Sequence, residues 1–209
     1  MHQFNRSARH VSMFRLVMLS LLMAMVIVLQ LIGCIPQISA NKLSFVLVPI
    51  VLGGAMLGVG AGAWLGFLFG AIVYLGGLLG LDAFTSFMIS MQPFATLIIC
   101  LSKGMLAGLA AAAVYRLVSR KNIIAGVAAA AAVAPIVNTG LYCVFMMTFF
   151  KDMLIESYGL SANAGFLAGL WFIFLLVVVN FLVEFGINVV LCPGIALALK
   201  RAKSVPFFK

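Results

Sequence analysis

Long apolar stretches separated by short polar segments dominate the chain. A membrane-spanning helix needs about 20 consecutive, mainly apolar residues, so the pattern predicts six such helices. The stretches lie at roughly 14–35, 43–58, 61–80, 94–118, 123–149 and 166–198. We therefore expect an all-α integral membrane protein, built as a six-transmembrane-helix bundle.

Two of the apolar stretches do not have the length of a single upright helix. Residues 43–80 hold no charged side chain, but as one helix they would extend about 57 Å, almost twice the hydrocarbon thickness. Gly58, Gly60 and Gly62 predict a tight reversal there, because glycine tolerates backbone conformations that other residues resist. Residues 166–198 are too few for two helices, which predicts one long, tilted helix, kinked at Pro193.

Composition and charge support the same topology. The chain has 209 residues, of which 66% are hydrophobic and 8% charged, with a net charge of +9, and its mean hydropathy is +1.28. Most cations fall on one predicted side, whereas Asp82, Asp152 and Glu156 fall on the other. Since positively charged segments stay inside, both termini are expected in the cytoplasm. The cations on that side are Arg6, Arg9, Arg15, Arg116, Arg120, Lys121, Lys200, Arg201, Lys203 and Lys209.

This topology divides the chain into a cytoplasmic leader at 1–13, a membrane domain at 14–200 and a basic cytoplasmic tail at 201–209. The positive charge is expected to attract anionic membrane lipid, and no nucleic acid partner is expected.

The chain lacks the residue patterns of the common membrane enzymes and ATPases, which argues against an enzymatic function. The two histidines, His2 and His10, belong to the leader, so no histidine is available at membrane depth for a zinc site or a nucleophile–base pair. The glycine-rich run 53–70 lacks the Gly-Lys-Ser/Thr ending of a nucleotide-binding loop. The widely spaced cysteines show neither metal-ligand spacing nor a disulfide framework; they are Cys34, Cys100, Cys143 and Cys192. No enzymatic activity, metal or cofactor is expected of this chain.

Lys103 and Glu184 are charged side chains deep inside predicted spans. A charge at this depth costs roughly 2.5–3.5 kcal/mol on insertion scales, and such residues mostly face a polar cavity or each other. One hypothesis is an internal ion pair that serves packing. The other is a pocket open to the outside, in which Lys103 supplies a positive charge for a polar solute.

Further polar residues lie at helical spacing near the two charges. Asn180, Glu184 and Asn188 recur every four residues, so they share one face of the last helix. Asn138 and Tyr142 form a similar pair in the fifth span. The predicted substrate-binding residues are Lys103, Asn138, Thr139, Tyr142, Asn180 and Glu184. The two longer outer connections, at about 81–92 and 151–165, are expected to act as lids.

Several of these segments resemble the substrate-binding S components of energy-coupling factor (ECF) vitamin transporters. The resemblance extends over roughly residues 14–200. The residues on which it rests are Phe45–Gly53, Leu57-Gly58, Gly62–Gly70, Asn138-Thr139 and the Asn180-x-x-x-Glu184 motif.

The resemblance implies a multi-pass protein of a bacterial cell membrane that captures a vitamin or vitamin precursor from outside. It also implies docking on a transmembrane T component, through the small residues Ser20 and Ala24, and release of the solute inside. Two cytoplasmic ATPase subunits of the partner module would use the ATP. The subgroup it resembles contains the pantothenate, hydroxymethylpyrimidine and cobalamin proteins.

Pantothenate is the expected substrate, because its carboxylate would compensate the buried charge of Lys103. If Glu184 already neutralises Lys103, a neutral pyrimidine or pyridoxine fits equally well. A secondary transporter or channel that works alone is the alternative function.

Overall fold

The computed structural model describes residues 2–33, 45–161 and 163–201, with side chains from Met13 onward. Within these ranges the chain forms helices and no strands, which confirms the all-α prediction. The helices are α1 (His2–Gly33), α2 (Leu47–Leu57), α3 (Val59–Leu78), α4 (Ala83–Met91), α5 (Pro93–Val118), α6 (Ile123–Phe149), α7 (Lys151–Tyr158) and α8 (Phe166–Arg201). The side chains of the leader, and residues 34–44 and 202–209 with Cys34, Lys42, Lys203 and Lys209, lie outside the described part.

Five of the described helices are long and apolar enough to cross a membrane. They comprise Met13–Gly33 of α1 together with α3, α5, α6 and α8. The remaining apolar segment forms α2, which has 11 residues and therefore extends only about 16 Å. The described chain thus supports five spans, and the sixth stays a prediction.

The short helix α2 lies in the middle of the bundle. It packs against α1, α3, α5, α6 and α8, and each of its residues from Leu47 to Met56 is buried. A helix that is apolar on all sides needs such surroundings, because it has no polar face to turn towards water.

The reversal between α2 and α3 occurs at a single glycine. Gly58 has φ of 100°, a conformation that costs other residues free energy. Its carbonyl oxygen accepts hydrogen bonds from the amides of Ala61 and Gly62, each at 3.1 Å. The predicted break is confirmed at Gly58, whereas Gly60 and Gly62 lie inside α3.

Glycines also allow α3 and α5 to pack with their backbones in contact. A Cβ atom added to Gly62 would lie 2.7 Å from the carbonyl oxygen of Gly108. One turn further along α3, a Cβ atom on Gly66 would collide with the carbonyl oxygen of Gly104. This close approach fixes the position of α5 relative to α3.

Both predicted lid segments contain short helices, α4 and α7, at the same end of the bundle. The carboxylate of Asp82 caps α4 by accepting hydrogen bonds from the amides of Phe84 and Thr85 at 3.2 and 3.3 Å. The side-chain amide of Gln92 donates to the carbonyl oxygen of Phe149 at 2.9 Å, which ties the start of α5 to the end of α6. The last helix is continuous over 36 residues with Pro193 inside it, as expected for one long span.

Candidate functional site

The buried apolar side chains form two separate clusters. The first, here called the α2 core, surrounds α2 and includes Leu65 of α3, Ala131 of α6 and Cys192 of α8. The second, here called the α7 core, lies beneath α4 and α7 and includes Ile99, Met146, Phe150, Met153 and Ile173.

Helices α6 and α8 pass from one core to the other. α6 supplies Val127, Ala130, Ala131 and Ala134 to the α2 core, and Cys143, Met146 and Met147 to the α7 core. α8 runs the opposite way, from Ile173 in the α7 core to Cys192 and Ala196 in the α2 core. The segments between these contacts therefore lie at a similar level of the bundle.

Polar residues occupy this intermediate level, here called the polar layer. Asn138, Thr139 and Glu184 are buried there, and Tyr142 and Asn180 are half-buried. Because α6 and α8 pack against each other, the polar segments of both helices interrupt the apolar packing together. The structure thus brings five of the predicted site residues to one level.

The sixth predicted residue, Lys103, reaches the same layer from α5. Its Nζ atom lies 5.5 Å from the ring centre of Tyr142 and 6.0 Å from that of Phe69. An ammonium group within about 6 Å of an aromatic ring centre is attracted by the electrons of the ring face. Helices α3, α5 and α6 therefore meet around this charge.

Glu184 lies close to Lys103 without touching it. The carboxyl-bearing side chain is 3% exposed, and the positive charge of Lys103 acts on it through space. Among the contacts of the described residues, no direct ion pair joins the two groups. The two charged side chains therefore lie in the same polar layer and interact without a direct contact.

Two amide oxygens in this region have no hydrogen-bond partner. They are Oδ1 of Asn138 and Oδ1 of Asn180, both buried atoms within the described part of the chain. A buried polar atom left unpaired costs roughly 1–3 kcal/mol, so it calls for an explanation.

Asn188, one turn beyond Glu184, shows the opposite situation. Its Nδ2 donates to the carbonyl oxygen of Glu184 at 2.8 Å, and its Oδ1 accepts from Sγ of Cys192 at 3.8 Å. The polar face of α8 that holds Asn180, Glu184 and Asn188 therefore contains two kinds of amide. Asn188 is hydrogen-bonded within the helix, whereas Oδ1 of Asn180 has no partner.

Ser102, the neighbour of Lys103, takes no part in the site. Its hydroxyl group donates to the carbonyl oxygen of Ile98 within its own helix. This bond holds the hydroxyl group against its own helix, and adjacent helical residues point about 100° apart, so Ser102 and Lys103 face different sides of α5.

Phe69 was not predicted as a site residue, although the sequence contains a signal for it. It lies between Gly66 and Gly70, and these glycines contact the backbone of α5 at Gly104 and Cys100. An aromatic residue in a stripe of small residues is thereby placed beside Lys103, the residue before Gly104.

The predicted docking residues lie elsewhere on the molecule. Ser20 and Ala24 are exposed on α1, whereas Leu22 and Val26 of the same helix are buried against the bundle. The small pair thus belongs to an outward face of α1 and is separate from the polar layer.

The three cysteines in the described part of the chain lie in the two apolar cores. Cys100, Cys143 and Cys192 are buried and form no disulfide. Among the described residues, no group of three or more histidine, cysteine or acidic residues could hold a metal ion.

A comparison with protein families identifies the chain. The model of the ECF transporter substrate-specific component family matches residues 14–196. The chain belongs to this family. Among curated proteins, no sequence matches it.

An S component is a substrate-binding subunit of a transporter and not an enzyme. Membership of this family and the long apolar helices together identify the chain as a multi-pass membrane protein. The family works in general with a T component and ATPase subunits.

Proposed function

We propose that the polar layer of this S component binds a vitamin or vitamin precursor, which the chain captures from outside the cell. After docking on a T component with two ATPases, it delivers this substrate inward. The main support is that two buried amide oxygens, Oδ1 of Asn138 and Oδ1 of Asn180, have no hydrogen-bond partner in the layer that also holds Lys103 and Glu184. These polar groups lie between two apolar cores, where free polar atoms serve packing poorly and ligand binding well.

The distribution of charge supports an orientation for this uptake. Arg116, Arg120 and Lys121 lie at the turn between α5 and α6, and Lys200 and Arg201 end α8. Under the positive-inside rule this end faces the cytoplasm, with both termini, and α4 and α7 face outside. The location is the plasma membrane of a bacterium, and the segment containing α2 completes six spans.

Pantothenate is the proposed substrate, as in the pantothenate, hydroxymethylpyrimidine and cobalamin subgroup that the sequence resembles. The ammonium group of Lys103 has two aromatic rings as neighbours and no direct carboxylate partner among the described residues. The carboxylate of pantothenate would supply the missing negative charge. The chain itself is proposed to bind no cofactor, since ATP is used by the partner subunits.

Binding of radiolabelled pantothenate to the purified chain in detergent tests this function. Saturable binding, competed by unlabelled pantothenate, is the expected result. Tight binding of another vitamin without pantothenate binding would contradict the substrate. No binding of any B vitamin would contradict the proposed function.

A further inference from the structure

The short helix α4 exposes large apolar side chains. Phe87 and Met91 of this helix are 43% and 44% exposed, and Phe94, just beyond it at the start of α5, is 81% exposed. The buried side of α4 holds Thr85 and Met88. A helix with one side against the protein and large apolar residues on the other needs a second apolar environment, because water disfavours such a surface.

The exposed surface around α4 is continuous with the apolar surface of two spans. α4 packs against α3 and α5, and these helices expose Leu75, Leu78 and Ile98 near the ends that α4 joins. Asp82 is the single charged residue at positions 75–102, and it is buried. The exposed side chains of this whole segment therefore carry no charge.

The length of α5 places α4 at a membrane boundary. α5 has 26 residues with Arg116 in its last turn, so it is about 39 Å long, whereas the hydrocarbon core is about 30 Å thick. If Arg116 lies at one boundary of that core, the first turn of α5 reaches the opposite boundary. α4 ends directly before this turn and so lies at the level where acyl chains meet the headgroups.

The polar side chains of α4 are all paired within the protein. The hydroxyl group of Thr85 donates to the carboxylate of Asp82 at 2.9 Å. That of Ser86 donates to the carbonyl oxygens of Gly77 and Asp82 at 2.6 and 2.7 Å, and that of Ser90 donates to a carbonyl oxygen within α4. Such pairing allows a helix to contact lipid, where water cannot supply hydrogen bonds.

The helix α7, at the same end of the bundle, has the opposite character. Asp152 and Glu156 are exposed on it. The side chains of Lys151, Asp152 and Glu156 form no hydrogen bond or ion pair with another described residue. Charged groups of this kind need water, so α4 and α7 have different surroundings at one level of the molecule.

We propose that α4 is an interfacial helix, which inserts Phe87 and Met91, together with Phe94, among the lipid acyl chains of the adjacent leaflet. α7 lies in water at the same end. The partner of this surface is therefore lipid. The inference concerns a surface outside the polar layer, and it holds for any substrate and for either orientation of the chain.

Spin labels on introduced cysteines test the surroundings of α4 in vesicles of phosphatidylcholine and phosphatidylglycerol. Cys34→Ala provides the background, because the other three cysteines are buried, and this background without an added cysteine measures residual labelling. Phe87→Cys and Met91→Cys carry the label on α4. Glu156→Cys is the matched control on α7, and Leu175→Cys is the lipid reference at an exposed position of α8.

Saturation of the electron paramagnetic resonance signal reports collisions of each label with dissolved oxygen, which concentrates in lipid, and with a nickel chelate, which stays in water. Labels at positions 87 and 91 should collide more with oxygen than with the chelate, as at position 175, and the label at position 156 should show the reverse.

Two results would overturn the proposal. More collisions with the chelate at position 87 or 91 would place α4 in water. Few collisions with either reagent would show that protein covers α4, as in contact with a second copy of the chain. Phe94→Cys replaces either α4 variant if its melting temperature shows that it is unfolded.

Discussion

At the scale of single residues, the ammonium group of Lys103 lies near the rings of Tyr142 and Phe69, in the layer that also holds the buried carboxyl group of Glu184. Its Nζ atom is 5.5 Å from the centre of the Tyr142 ring, and its charge acts on Glu184. A cation within a low-dielectric layer attracts an anionic ligand more strongly than one exposed to water. Lys103 is therefore the residue whose charge should matter most for an acidic substrate.

Replacing Lys103 by methionine should weaken pantothenate binding about 10- to 100-fold, in proportion to a charged hydrogen bond of about 1.5–3 kcal/mol. Expression and the melting temperature should stay close to wild type, because methionine keeps most of the apolar volume. Equilibrium binding of radiolabelled pantothenate measures the effect. Lys121→Met, which changes an exposed lysine at the α5–α6 turn, is the matched control and should bind normally. Unchanged affinity in Lys103→Met would indicate a packing role.

Substitution of Asn188 should affect stability rather than binding, unlike substitution of Asn180 on the same face of α8. Its amide is paired within α8, so Asn188→Leu removes structural hydrogen bonds and leaves the ligand contacts in place. We expect a stability loss of about 1–3 kcal/mol, seen as a lower melting temperature in detergent, with pantothenate affinity within about 3-fold of wild type. A large loss of affinity without loss of stability would place Asn188 in the binding site.

The spacing of polar residues in the sequence predicted which side chains share a helix face, but not their hydrogen-bond partners. The period of four placed Asn180, Glu184 and Asn188 on one face of a helix, because that periodicity is a property of the helix itself. Which amides are paired depends on side-chain conformations and on contacts between helices. For that reason the difference between Asn180 and Asn188 appeared only in the structure.

At the scale of helices, the contact between α3 and α5 holds Lys103 and Phe69 in position. Gly66 and Gly104 face each other with their backbones in contact, and each adjoins the region of the aromatic rings around Lys103. Any side chain at this contact must push the two helices apart.

Gly66→Ala should therefore destabilise the chain by about 1–3 kcal/mol. Gly60→Ala is the matched control in the same helix, since a Cβ atom there meets nothing within 4 Å. Alanine is the better helix former, so Gly60→Ala should leave stability unchanged or raise it by up to about 1 kcal/mol. Melting temperatures of both variants in one detergent provide the comparison. Equal melting temperatures would contradict the backbone contact between α3 and α5.

Helix boundaries were predictable from the sequence where they depend on the length of an apolar run or on a glycine. The reversal at Gly58 followed from helix length and glycine, and the continuous α8 followed from its span of apolar residues. The shortness of α2 was not predictable, because an apolar run has the same hydropathy whether it spans a membrane or lies buried inside a bundle. The short helices α4 and α7 were missed as well, although Asp82 is a common type of N-terminal cap.

At the scale of the whole molecule, the proposed function uses two separate surfaces, one for the substrate and one for the T component. In that proposal, the polar layer would bind the substrate and the small residues on the outward face of α1 would contact the T component. These surfaces are separate, because Ser20 and Ala24 are exposed on α1 while the polar layer lies among α3, α5, α6 and α8. Substrate binding and assembly should therefore be separable by mutation.

Ala24→Leu should abolish or strongly reduce co-purification with a T component, because the larger side chain prevents close approach of another helix. Vitamin binding to the isolated chain should stay unchanged. Ala198→Leu makes the same change at an exposed position of α8 and serves as the control for assembly. Normal assembly of Ala24→Leu would show that the T component docks elsewhere.

Reconstituted vesicles separate the S component from a transporter that works alone. The purified chain without its partners should bind pantothenate but accumulate none inside vesicles, whether or not an ion gradient is present. Accumulation driven by an ion gradient would favour the alternative function, a secondary transporter or channel that works alone.

The central claim is that the polar layer between the two apolar cores is the binding site of a vitamin. Equilibrium binding of pantothenate to purified wild-type chain and to Asn138→Leu tests it most directly, with both proteins shown to be folded by their melting temperatures. The account predicts saturable binding to wild type and an affinity about 10-fold or more weaker for the variant. Equal binding by the two folded proteins would contradict it.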